Sequence, residues 1–214
     1  MRRDYAKHRQ VADTLFQHAR RAVHDSGLPV VEATDGRQRG EGFSARFANA
    51  VADAFAQGYD HVIAVGGDCP RLHEVDWTRV AAQLEAGTPV LGPTSDQDGA
   101  YLIGLSREQF DRGAFAALPW TTSTLFPALA RHLEAAAGTA PALLDPRDDV
   151  NGPGDLLALL RRRSAVPAVL KARLRQVLGI PSKREAVRAP RLTRRGPSRR
   201  SRAPPTNEHT VSAA

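Results

Sequence analysis

An α/β fold, with a mostly parallel sheet covered by helices on both faces, is what this chain of 214 residues predicts. Three observations carry that expectation. Some stretches repeat apolar residues at helical spacing. Between them lie short apolar runs rich in β-branched residues. The two patterns alternate along the chain, as they do in βαβ units. No internal repeat is present.

The elements follow in order. Residues 8–25 place Val11, Leu15, Ala19, Ala22 and Val23 on one helical face, and Ser26-Gly27 ends that helix. Residues 28–33 read as a short strand, and 34–42 as a polar loop. Residues 44–57 predict a helix with Phe47, Ala50, Val51, Ala54 and Phe55 on one face. His61–Val65 is an apolar run closed by Gly66-Gly67-Asp68-Cys69-Pro70, a buried strand that stops at turn formers. A helix over 76–86 and strands over 89–91 and 101–105 come next. Helices over 123–137, 153–162 and 167–178 complete the body.

The run ending at Asp68 is the most informative. It sets a carboxylate at the carboxyl edge of a sheet, where open α/β sheets bind ligands. Its glycines let a ligand approach the backbone. The same residues also suit a turn whose aspartate caps the next helix. Two further loops follow predicted strands and can open on the same edge. Gln38-Arg39-Gly40-Glu41-Gly42 offers tight backbone approach and an amide. Asp96-Gln97-Asp98-Gly99 is either a substrate loop or an ordinary Asp-Gly turn between strands. A later acidic group, Asp145 with Asp148-Asp149-Val150-Asn151, precedes the helix at Pro153 and could serve that helix as a cap. Carboxylates distant in sequence but gathered on strand ends suit Mg²⁺, which takes one or two of them together with substrate phosphates. There is no Cys/His cluster for zinc and no P-loop or dinucleotide glycine signature.

Composition narrows the class. Hydrophobic content of 42% is that of a soluble domain, and no apolar run reaches the length of a membrane span. The first residues carry charge with no apolar stretch after it, so no secretory signal is expected. The single cysteine, Cys69, reads as a small buried hydrophobe and fits a reducing, cytoplasmic setting. The net charge of +7 resides in residues 182–214, which hold nine Lys+Arg and two Asp+Glu. Residues 1–181 are neutral. The predicted organisation is one domain over 1–181 and a basic, disordered tail over 182–214. Arginine pairs in that tail could touch nucleic acid, but no aromatic residues interleave them, and a solvated appendage is the favoured reading.

Taken in order, certain strings match a known pattern. They are Gln38-x-Gly40-x-Gly42-Phe43-x-x-Arg46, Gly67-Asp68-Cys69-Pro70, Asp98-Gly99-x-Tyr101-Leu102-Ile103-Gly104-Leu105, Pro119-Trp120-x-Thr122 and Asp149-Val150-Asn151-x-Pro153-x-Asp155-Leu156. The set resembles an uncharacterised bacterial family, number 2064 among the domains of unknown function, whose members are often labelled glycosyltransferases. The resemblance covers roughly residues 5–165. It implies a GT-A-like (nucleotide-diphospho-sugar transferase) three-layer αβα sandwich, related to 2-phospholactate and molybdenum-cofactor guanylyltransferases.

The resemblance also implies roles. Asp68 matches the metal-binding aspartate, with Asp149 and Asn151 where a second metal ligand sits, and Mg²⁺ or Mn²⁺ as the ion. Gln38, Gly40 and Gly67 fall in the nucleotide region. Asp98 and Gly99 would face the second substrate, with Asp68 and Asp98 as the catalytic pair. Trp120 is expected to pack against the body. Two departures stand out. Family members usually begin with an apolar strand and a phosphate loop bearing Lys and Arg, and this chain starts almost directly in its first helix. The expected sheet therefore lacks its first strand and has a gap or a raw edge. Asn151 stands where the family more often has Asp. The expected function is a metal-dependent glycosyl- or nucleotidyltransferase using a nucleotide or nucleotide-sugar donor and an unidentified acceptor. The alternative is a catalytically silent GT-A-like binding module without the phosphate loop.

Overall fold

The structure is a computed structural model that describes residues 2–34, 36, 38–161 and 166–181, with 2–5 as backbone only. The chain divides into two units, Met1–Ile180 and Pro181–Ala214. The expected basic tail lies outside the described residues.

The elements of the first unit are α1 (Arg2–His24), α2 (Gly42–Ala56), β1 (His61–Val65), a 3-10 turn (Leu72–Glu74), α3 (Trp77–Glu85), β2 (Val90–Pro93) and β3 (Ala100–Ser106). They continue with α4 (Arg112–Ala116), α5 (Leu125–Ala137), β4 (Ala142–Leu143), α6 (Pro153–Arg161) and α7 (Ala168–Leu178). Local chemistry sets the helix boundaries. Asp76 caps α3 by accepting from the Arg79 amide at 3.0 Å, and Asp111 caps α4 by accepting from Ala114 at 2.6 Å. Gly138 ends α5 in the left-handed region, which costs glycine nothing.

The sheet runs β1-β3-β2-β4. β3 is antiparallel to both its neighbours, and only β2 and β4 pair in parallel. The mostly parallel ladder expected from the alternation is therefore corrected to a small mixed sheet. β1, β2 and β4 do share one direction, but β3 enters reversed between them. The cause is the short connection from Pro93 to Ala100. A loop that brief joins antiparallel neighbours, whereas a parallel crossover needs about a dozen residues or more.

A second correction concerns residues 28–33, expected as a strand. They carry no ladder bonds and lie outside the sheet. A third concerns β1, expected to be buried. It is the sheet's edge, with His61 exposed and Val62 to Val65 only partly covered. The buried strands are β2 and β3, in which Val90, Leu91, Tyr101, Leu102 and Leu105 are essentially sealed from solvent. Among the described residues no strand precedes β1.

Apolar side chains gather in three clusters. On one face of the sheet Leu91, Ile103 and Leu105 meet α2, α4 and α5 through Val51, Phe115 and Leu129. On the other, Val90 and Leu102 meet α1 and α3 through Ala19, Ala22, Val80 and Leu84. The third cluster joins Leu15 of α1 to α6 and α7 through Leu156, Leu160 and Leu174. Gly92 shows how closely the sheet is packed. A Cβ there would lie 2.5 Å from the Tyr101 ring, so only glycine fits.

Candidate functional site

A cleft of about 860 Å³ opens beside β1. Its polar end is built by three chain segments. β1 runs out into Gly66-Gly67-Asp68, the β2–β3 turn contributes Thr94 and Gly99, and the stretch before α6 contributes Asp149 and Asn151. The Val150 amide donates to the Asp68 carbonyl at 3.1 Å, which ties the third segment to the first.

A buried arginine holds that third segment in place. Arg147 is 6% exposed. Its guanidinium donates to the Glu74 carboxylate and the Arg71 carbonyl, both at 2.8 Å, to the Glu74 carbonyl at 3.1 Å, and to the Tyr101 hydroxyl at 3.2 Å. Its backbone bonds to Pro93 and Ser95 align it with the end of β2. A charge so buried is stable only when paired and hydrogen-bonded, and Arg147 is both. The network sets Asp149 and Asn151 two and four residues farther on, at the mouth of the cleft.

The electrostatics of the cleft are those of crowded carboxylates. Burial pushes the Asp68 carboxyl above the ordinary range, and the charge of Asp149 adds to that rise. Burial also raises Asp149, helped by the charges of Asp96 and Asp155, although the Asn151 amide donates to its Oδ2 at 2.9 Å and opposes the shift. Asp96 is held below the ordinary range, first by the Thr94 hydroxyl at 2.6 Å and then by the Asp98 amide. Two desolvated carboxylates, each raised by burial and by neighbouring negative charge, gain from a cation beside them, and carboxylate and amide oxygens are hard donors that suit Mg²⁺ or Mn²⁺. Among the described residues no group of three His, Cys, Asp or Glu forms a metal cluster. Asp68, Asp149 and Asn151 line the same end of the cleft.

The other expected site residues fall as follows. Gly67 lines the cleft, and a Cβ there would touch the Phe16 ring at 3.3 Å. Gly99 also lines it, fixed by hydrogen bonds with Thr94 at 3.0 Å and 3.1 Å. Gln38 lines it too, and its amide donates to the Ala33 carbonyl at 2.9 Å. Gly40 is not on the wall. Its φ is +118°, and a Cβ there would lie 2.9 Å from that of Ala45, so it serves the turn into α2. Asp98 is exposed on the β2–β3 turn and is not part of the cleft wall.

Trp120 packs as expected, 7% exposed with its indole N–H donating to the Phe115 carbonyl at 2.7 Å. Cys69 is buried, and burial drives its thiol up to about 11. Asp155, in the first turn of α6 and outside that acidic group, accepts from the amides of Asn151 and Gly152 just before the helix. Sequence reasoning missed Thr94, Arg147, Phe43 and Arg46 as contributors. Phe43 is half exposed at the cleft, its ring 5.6 Å from that of Phe47. Arg46 brings a cation to the same wall.

No helix among the described residues is long and apolar enough to cross a membrane. No curated protein matches the chain. A solved structure does: a protein of Desulfovibrio desulfuricans G20, provisionally named a nucleotide-diphospho-sugar transferase. The two are 26% identical with a TM-score of 0.52, and the similarity covers 67% of this chain and 62% of the other. The fold is thus α/β with a small mixed sheet, similar to that of the Desulfovibrio protein. Residues 4–122 match the family model described as uncharacterized protein conserved in bacteria (DUF2064), and since these are more than half of its length, the chain belongs to that family.

Proposed function

We propose that this protein is a GT-A-like, metal-dependent transferase that uses a nucleotide or nucleotide-sugar donor, with the sheet as the middle of three layers. The observation that carries the reading is the meeting of Asp68, Asp149 and Asn151 in the cleft at the carboxyl end of β1. Ligands of open α/β folds bind at that edge. The likeness to the Desulfovibrio protein and membership of the family point the same way.

Asp68 and Asp149 would hold Mg²⁺ or Mn²⁺ through carboxylate oxygens, with the Asn151 carbonyl as a neutral third donor. The ion would neutralise the donor's diphosphate charge as the leaving group departs. Gly67 and Gly99 leave the backbone open to the ligand, and Gln38 offers an amide to a base edge or hydroxyl. Arg46 adds positive charge for phosphate. Arg147 acts through Asp149 and is a positioning residue. Asp98, which faces solvent, is left to the acceptor side, where it could take a proton from an attacking hydroxyl once the acceptor is bound.

The test is a thermal-shift screen against nucleoside diphosphates, triphosphates and nucleotide sugars, with and without Mn²⁺, using Asp68→Asn as the control. A metal-dependent shift that vanishes in the variant supports the reading and names the donor. A second reading has one observation in its favour. Of the two arginines on the cleft wall, Arg20 is already engaged by Glu32 at 2.5 Å, which leaves little cation for a diphosphate. A well-folded sample that shifts with no nucleotide supports that reading, a binding module without catalysis.

A further inference from the structure

The charge of the chain divides inside its folded unit. Residues 1–181 are neutral only as a sum. Residues 161–181 hold six Lys+Arg and no Asp or Glu, whereas residues 1–160 hold fifteen Lys+Arg against twenty-one Asp+Glu. The excess of cations therefore begins at Arg161, the last residue of α6, and runs through α7. Residues 182–214 continue it in sequence with nine Lys+Arg and two Asp+Glu. Charge segregated in this way selects an anionic partner.

α6 and α7 set part of that charge on one surface. Both bury their inner faces in the cluster around Leu15 of α1, through Leu156 and Leu160 from α6 and Leu170 and Leu174 from α7. Arg175 ties the two helices together by donating to the Leu160 carbonyl at 3.1 Å. Their outward faces repeat one pattern. On α6 Leu157 is followed one turn on by Arg161, and on α7 Val169 is followed one turn on by Arg173. All four are exposed. Val169 is the most exposed large apolar side chain among the described residues, at 66%, and Leu157 stands at 45%. Neither Arg161 nor Arg173 meets a carboxylate among the described residues. The one carboxylate carried by either helix, that of Asp155, accepts from the amides of Asn151 and Gly152.

We propose that the outward face of α6 and α7 docks on an anionic lipid bilayer, with Arg161 and Arg173 at the headgroup phosphates and Leu157 and Val169 entering the boundary beneath them. A cation beside an aliphatic side chain suits that boundary, where charge is matched at headgroup level and apolar surface just below it. A nucleic acid would engage the arginines but leave both aliphatics in water. Residues 153–214 also hold no Phe, Trp or Tyr to stack on a base. A second copy presents the same cations and is repelled. Two exposed aliphatics are a weak anchor by themselves, and the arginines add attraction to it, so the binding is reversible and set by lipid charge. The contact goes beyond the transferase reading and stands without it.

The test is co-sedimentation of the full chain with sucrose-loaded vesicles, made of phosphatidylcholine alone or with about one-third phosphatidylglycerol. Partition onto the anionic vesicles, absent on the neutral ones and lost as salt rises toward about 1 M, is the expected result. Each cation near such a surface is worth about fivefold, so Arg161→Gln combined with Arg173→Gln should weaken partition about tenfold or more. Arg173→Lys keeps the charge and should bind as the wild type does. Val169→Ser and Leu157→Ser leave the charge unchanged and should each weaken partition about threefold or more, while Val169→Leu should tighten it up to about fourfold. All of these positions are exposed, and circular dichroism checks that each variant is folded. A tail variant, Arg194→Gln with Arg195→Gln, Arg199→Gln and Arg200→Gln, isolates the part played by residues 182–214. Loss of binding in the tail variant, with every helix variant unchanged, would overturn the proposal. Loss through the arginines with no effect of either serine would mean a purely electrostatic contact, the kind a nucleic acid also makes, and would overturn it too. So would no partition onto anionic vesicles, or a dimer on size exclusion that Val169→Ser abolishes.

Discussion

Asp68→Asn is expected to raise the stability of the ligand-free protein while removing its response to ligand. Asp68 is half-buried, and its carboxyl is pushed upward first by burial and then by Asp149. A carboxyl whose folded pKa lies above its unfolded value destabilises the fold wherever it is ionised. The penalty is complete above the folded pKa and fades as pH falls toward the unfolded value. At neutral pH the amide removes that penalty and can donate to Asp149. A relieved site of this kind commonly gains about 0.5–2 kcal/mol. For a chain of this size each kcal/mol moves Tm by roughly 2–4 °C. The variant in EDTA should therefore melt several degrees above wild type at pH 7–8, and the gap should close as the pH approaches the ordinary carboxylate range.

With Mn²⁺ and a donor at about a hundred times its dissociation constant, wild type gains about 2.7 kcal/mol and overtakes the variant. The assay is differential scanning fluorimetry over a pH series, with and without metal. A variant that melts lower than wild type in EDTA would show that Asp68 caps the turn before Leu72, and the crowded-carboxylate argument would fail. A ligand shift that survives in the variant would remove Asp68 from the site.

Three further outcomes follow from the packing. Gly92→Ala should cost about 1–3 kcal/mol, because its Cβ would stand 2.5 Å from a Tyr101 ring held between the sheet and Arg147; urea unfolding measures it, and an unchanged midpoint would contradict the close approach. Glu74 is held below the ordinary range by Arg71 first and by Arg147 as well, so its contribution is present above the unfolded pKa and is lost as pH falls through the folded one. Glu74→Gln should cost roughly 1–3 kcal/mol at pH 7 and flatten the loss of stability below about pH 4, followed by circular dichroism. Cys69, with its thiol near 11 and 2% exposed, should resist a maleimide in the native protein and react once urea unfolds it; rapid native labelling would contradict its burial.

The physics of the chain explains which features its sequence discloses. β1, α2, α3 and α5 are legible because each is a periodic apolar pattern ended by Gly, Asp or Pro, and those patterns are local. Asp68 is legible for the same reason, since a strand that ends in Gly-Gly-Asp announces a sheet edge. The direction of β3 was open to reading too, because Asp96-Gln97-Asp98-Gly99 spans too few residues for a parallel crossover. The alternation of helices and strands argued the other way, and the loop length decides it. Residues 28–33 show the limit. Their composition suits a strand, but a strand exists only when a neighbour supplies its hydrogen bonds, and none stands there among the described residues. Arg147 was illegible for a related reason. In sequence it is one arginine in an acidic loop, and only Glu74, Arg71 and Tyr101, brought from far along the chain, turn it into the buried post that sets Asp149 beside Asp68.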